Sequence, residues 1–245
     1  MCRDWVNYVI AVALHVLLSG VALPADGPTE RLWATGFSPA EAVAFDHDGT
    51  AYVSNYRRMG TIGSILPDGT ASIWCDLNEI EAGQSEARPT SIAVDTEGRL
   101  VVADAGSGRL LRIDRKKKIT VLVDRFDGLE FEQIQAVALR SRLGQLAGAD
   151  IAFSATTKRT GQESQTSLFA LDLRTSTVRK LPLELTAPVN ATFSPNGKIL
   201  VVIESNQNKV WTYDWDQQGE FQLLTKLGGN GNPLAAKPLG ICPSN

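Results

Sequence analysis

Three stretches of this chain repeat one another, and a repeat of this period leaves few folds open. Residues 41–55 (EAVAFDHDGTAYVSN), 90–104 (TSIAVDTEGRLVVAD) and 189–204 (VNATFSPNGKILVVIE) align, the third with one more residue after its turn Gly. Each is an apolar strand ending at Asp or Ser, a turn closed by Gly, and a second apolar strand ending in a polar residue. A weaker copy runs from Gln135 to Arg140, and a fifth begins at Leu239 and ends at Ser244. The residues that end the first strands, Asp46, Asp95, Arg140, Ser194 and Ser244, are 49, 45, 54 and 50 residues apart.

Each unit continues into two more strand-like runs, such as Arg109 to Asp114 with Ile119 to Asp124, and Lys209 to Trp215 with Phe221 to Leu227. Asp48-Gly49, Asp68-Gly69 and Asn196-Gly197 are hairpin turn pairs, because Gly takes a positive φ without steric cost. No amphipathic helix is expected after residue 30. Four antiparallel strands in about 50 residues is the pattern of a propeller blade, whose inner strands are buried between neighbours and read as continuous apolar runs. The expected fold is therefore all-β: a β-propeller with four blades and the first strand of a fifth over residues 26–245. A closed ring removes raw sheet edges, so a chain ending inside a blade reads as truncated relative to one.

The first 25 residues differ in composition. Arg3 opens the chain, an apolar run from Val9 to Leu18 is broken only by His15, and small residues follow at Gly20, Ala22 and Ala25. That layout predicts a secretory signal peptide over residues 1–25, since the run is short of the ~20 residues a spanning helix needs. The expected location is secreted or periplasmic, with no membrane anchor after cleavage. A net charge of −3 gives no footprint for nucleic acid. The one basic run, Arg115 to Lys118, falls between two apolar stretches and reads as a solvated turn. Cys75 and Cys242, which the mature chain would keep, read as two buried small hydrophobes.

Units of this form resemble the senescence-marker-protein/gluconolactonase family of six-bladed propellers, and the stretch from Pro89 to Asp114 also resembles an NHL repeat, a blade type used mostly for binding. The resemblance covers about residues 30 to 245. It implies hydrolysis of sugar lactones with one divalent metal, calcium or zinc, on the central axis. It also implies that metal and substrate groups lie five residues before each strand-ending anchor, at Glu41, Thr90, Gln135, Val189 and Leu239. Read that way, Glu41 holds the metal and has a catalytic role, and Gln135 stands where the family has a substrate-facing Asn. Val189 and Leu239 replace a metal Asn and a metal Asp, with Asn190 adjacent to the first. Successive strand residues face opposite ways, so Asn190 reaches the axis only if its strand shifts by one.

A hard divalent cation wants six to eight oxygens with enough carboxylate charge to offset dehydration, and this ring is depleted. Asn55, Asp104 and Glu204, at the ends of second strands, should open on the same face and are candidate substitute ligands; the alternative is that they cap strands at the water boundary. Other chemistries lack parts. His47 is the one His beyond the leader and sits in a turn, which leaves Ser–His–Asp and Cys–His catalysis without a base. Asp46 to Gly49 opens like an EF-hand loop, but no Glu follows at the twelfth position. The Gly-rich stretch from Gly228 precedes a strand and reads as an inter-blade loop. Two readings follow: an exported lactonase-like propeller acting on a small molecule, or a non-catalytic propeller binding a small molecule or a protein.

Overall fold

A computed structural model describes residues 32, 34–36, 40–80, 86–140, 150–157, 163–185 and 188–226. The chain divides into two units, Met1–Trp33 and Ala34–Asn245, and every element below lies in the second. The leader, Cys242 and the fifth repeat at Leu239 lie outside the described residues. Among the described residues no helix is long and apolar enough to cross a membrane.

The strands form four antiparallel sheets in chain order. The first contains β1 (Val43–Phe45), β2 (Ala51–Ser54), β3 (Thr61–Ile65) and β4 (Ala71–Asp76), followed by one helical turn, α1 (Leu77–Ile80). The second contains β5 (Pro89–Val94), β6 (Leu100–Asp104), β7 (Arg109–Ile113) and β8 (Ile119–Val123). The third contains β9 (Arg125–Phe126), β10 (Leu129–Arg140), β11 (Asp150–Thr157), β12 (Gln165–Asp172) and β13 (Thr177–Leu185). The fourth contains β14 (Pro188–Phe193), β15 (Ile199–Glu204), β16 (Lys209–Asp214) and β17 (Gln222–Lys226). These are propeller blades, and β1, β5, β10 and β14 pack in succession as their innermost strands.

The third blade departs from the expected four strands. β9 and β10 form an extra hairpin through Asp127-Gly128, where both residues have positive φ (52° and 77°). That is the backbone a two-residue turn needs to match strand twist. It carries β10 six residues beyond Gln135, and Phe126 packs on Phe169 at 5.1 Å between ring centroids.

Local chemistry explains the repeat. The Asp46 carboxylate accepts from the backbone N–H of Asp48 and Thr50 at 3.0 and 2.9 Å, and Asp95 does the same for Glu97 and Arg99. Each anchor thus fixes its own hairpin turn, with Gly49 and Gly98 at φ 82° and 71°. Asp114 holds the basic run in the same way, accepting from Lys116 and Lys118.

Three apolar layers, one between each pair of neighbouring blades, hold the sheets together. Tyr52, Ile62 and Cys75 of the first blade meet Ile92, Leu100 and Leu111 of the second. Val101 and Leu110 meet Val137, Phe153 and Phe169. Ala138, Leu168 and Leu181 meet Phe193, Val202 and Tyr213. Burying a side chain of this size is worth about 1.5–3 kcal/mol, so these layers dominate the stability of the arrangement.

Candidate functional site

Three of the positions five residues before the anchors, in the second, third and fourth blades, share a backbone irregularity. In β5 the register with β6 slips between Pro89 and Ser91, leaving Thr90 as an extra residue. In β10 the slip lies between Ile134 and Ala136, at Gln135, and in β14 between Pro188 and Asn190, at Val189. A one-residue β-bulge re-aims a side chain that the pleat would otherwise direct to a face. Buried serines on the second strands hold the backbone here. Ser54 Oγ accepts from the N–H of both Glu41 and Ala42 at 3.0 and 2.9 Å, and Ser154 Oγ accepts from Ala136 N–H at 3.1 Å.

The Glu41 carboxylate faces a cation, with Arg88 Nε 3.4 Å from its Oε1. Both side chains are partly exposed. Sequence reasoning missed Arg88, although it lies two residues before the Thr90 bulge; its partner is 47 positions away. Thr90 Oγ1 donates to the carbonyl oxygen of Gln135 at 3.0 Å, joining the second and third inner strands at their bulges. The Gln135 amide is half-buried and donates from Nε2 to Gln133 Oε1 at 3.0 Å. Asn190 follows the Val189 bulge, and its Oδ1 accepts from Ala191 N–H at 2.8 Å.

The second set of residues sits deeper. Asn55, Asp104 and Glu204 are buried. Asp104 Oδ1 accepts from the N–H of Arg88 (2.6 Å) and Gly106 (3.0 Å), and Oδ2 accepts from the Ser107 hydroxyl (2.6 Å). Asn55 Oδ1 accepts from Gly60 N–H at 3.2 Å, and its Nδ2 donates to the Pro89 carbonyl at 3.4 Å. Glu204 Oε2 accepts from Trp211 Nε1 at 3.1 Å. These groups clamp the turns between second and third strands and tie the first blade to the second.

For a divalent cation the donors at the mouth are one carboxylate, already paired with a guanidinium, and side-chain amides. Among the described residues no three His, Cys, Asp or Glu side chains converge to hold a metal ion. That set falls short of the six to eight oxygens calcium takes. A cavity of about 270 Å³ opens elsewhere, lined by Trp74, Cys75, Asp76 and Lys117. Burial pushes the Cys75 thiol up to about 11, so it is not a ready nucleophile.

No family model matches the chain, and no curated protein matches it. Solved structures do. A nidogen/laminin complex superposes with a TM-score of 0.58 at 16% identity, over 76% of this chain and 64% of that one. A gluconolactonase from Xanthomonas campestris gives 0.57 at 18% identity, over 72% and 58%. An auxiliary nutrient binding protein from Bacteroides thetaiotaomicron gives 0.55 at 16% identity, over 80% and 44%. The chain thus spans less than two thirds of the length of each. Likeness at this identity shows the β-propeller fold.

Proposed function

We propose that this chain is an exported propeller that binds a small polar molecule at the mouth of its inner strands, with Glu41, Arg88, Gln135 and Asn190 as the recognising groups. A sugar acid or its lactone is the class of ligand that fits. The observation that carries this reading is the Glu41–Arg88 pair beside the ring of bulges. An ion pair this exposed is worth about 0–1 kcal/mol. A ligand carboxylate can therefore take the guanidinium, and a ligand hydroxyl the carboxylate, at little cost. Amides at Gln135 and Asn190 offer both donors and acceptors to hydroxyl groups. The nutrient binding protein among the structural likenesses supports a binding role for such a fold.

A second reading, metal-dependent lactone hydrolysis, draws support from the likeness to a gluconolactonase and from Gln135 standing at a bulge with Asn190 next to another. In it a divalent ion would polarise the lactone carbonyl, with Asn55, Asp104 or Glu204 as further ligands. The hydrogen bonds already made by Asp104 weigh against that role, and the binding reading is favoured.

Isothermal titration with aldonic acids and their lactones, run with and without calcium, zinc and manganese, separates the two, alongside a pH-stat assay on gluconolactone. Binding that needs no metal, is lost in Arg88→Ala and weakens in Glu41→Gln, with no turnover, is the expected result. Metal-dependent turnover would replace the binding reading with the hydrolase.

A further inference from the structure

Two hydroxyl groups of the second blade hold the backbone of the third at Gln135. Around this bulge Ile134, Ala136 and Val137 are buried, so amides and carbonyls that leave the ladder there must find partners within the protein. Ser154 of the same blade accepts from Ala136 N–H at 3.1 Å. The other partners come from β5. Thr90 Oγ1 lies 3.0 Å from the Gln135 carbonyl oxygen and 3.3 Å from that of Ile134, and Ser91 Oγ accepts from Val137 N–H at 3.2 Å. The backbone on both sides of Gln135 is thus gripped from two blades.

The internal repeat shows that this grip is particular to one place. The residues at the Thr90 and Ser91 positions are Glu41 and Ala42 in the first blade, Gln135 and Ala136 in the third, and Val189 and Asn190 in the fourth. Of these four pairs, the second blade's alone carries a hydroxyl at both positions. Thr90 Oγ1 also lies 3.3 Å from the carbonyl oxygen of Ala103 in its own blade, so its hydrogen serves backbone acceptors. Ser91 is buried. A side chain whose backbone is already fixed has less freedom to lose when it meets a ligand.

We propose that Thr90 and Ser91 are positioning residues for the Gln135 amide: the second blade aims the group with which the third meets a ligand. The inference rests on the reading of the mouth as a binding site for a sugar acid. It gives the position five residues before the anchor two different tasks in neighbouring blades, support at Thr90 and recognition at Gln135.

Isothermal titration of the full chain with gluconate tests it. Thr90→Val removes the donor at nearly constant shape and should weaken binding roughly tenfold, about the worth of one hydrogen bond from the amide to the ligand. Ser91→Ala should act in the same direction. Thr90→Ser keeps the hydroxyl and should bind as the unmodified chain does. In a Gln135→Ala background Thr90→Val should cause no further loss, because no amide is left to aim. A hydroxyl that only held the fold together would weaken binding equally in both backgrounds. Affinity indifferent to Thr90→Val, a loss that Thr90→Ser shares, or a loss that persists in the Gln135→Ala background overturns this proposal and leaves the mouth reading in place. Gluconate that fails to bind the unmodified chain overturns both.

Discussion

Arg140 of the third blade donates from Nε to the carbonyl oxygen of Gly197, in the turn of the fourth, at 2.6 Å. Its Nη1 reaches Asp150 at 3.0 Å and its Nη2 reaches Asp216, while Trp215 Nε1 donates to the same Asp150 oxygen at 3.0 Å. Where the first two blades have an Asp that fixes its own turn, this blade has a buried cation that fixes its neighbour's. Removing one partner of a buried pair costs about 3–5 kcal/mol because the other charges are left uncompensated. Arg140→Met should lower the urea midpoint by the equivalent of that amount. A change under about 1 kcal/mol would show that the network contributes little.

Asp104 supplies the second prediction. Its carboxylate takes three hydrogen bonds at full burial, and bonds to a charged acceptor contribute about 1.5–3 kcal/mol each when lost. Asp104→Ala should destabilise the fold by more than about 2 kcal/mol in equilibrium denaturation. The same variant should also weaken ligand binding at the mouth, because Asp104 positions the backbone of Arg88.

The third concerns Gly108, whose φ is +67° and where an added Cβ would lie 2.0 Å from the Phe131 carbonyl oxygen. The lengthened β10 passes close over this turn. Gly108→Ala should cost about 1–3 kcal/mol from the backbone conformation alone, plus whatever moves to relieve the contact. Thermal denaturation would register it, and a neutral outcome would mean that β10 yields easily.

Much of the fold was legible because the hairpin turns are encoded locally. Asp46 and Asp95 each bond amides two and four residues away, so their role is visible in a short window. What escaped was nonlocal. Arg140 ends the weaker copy of the repeat and its partner lies 57 positions on, while the partner of Arg88 lies 47 positions back. The bulges at Thr90 and Gln135 are defined by a neighbouring strand, so no pattern within either strand announces them. The β9–β10 hairpin did leave a signal, Asp127-Gly128 followed by the alternation of Leu129-Glu130-Phe131-Glu132, but the strand before the turn is only two residues long.

The fourth prediction follows from Cys75. Burial raises its thiol from 9.0 to about 11, so the folded state favours the neutral thiol more than the unfolded state does. The stability this supplies is complete below about pH 9 and is lost as pH climbs through about 11. In a Cys2→Ser, Cys242→Ser background, native protein at pH 8 should react slowly with a thiol reagent and denatured protein at once. Equal rates would show that the site is open.

The bulge is a feature of backbone register, so residues of different chemistry can stand at it. Thr90, Gln135 and Val189 occupy the same irregularity with a hydroxyl, an amide and an aliphatic group. One backbone device thus sets down three different side chains at the same end of three inner strands, and at Thr90 the side chain also helps join two blades.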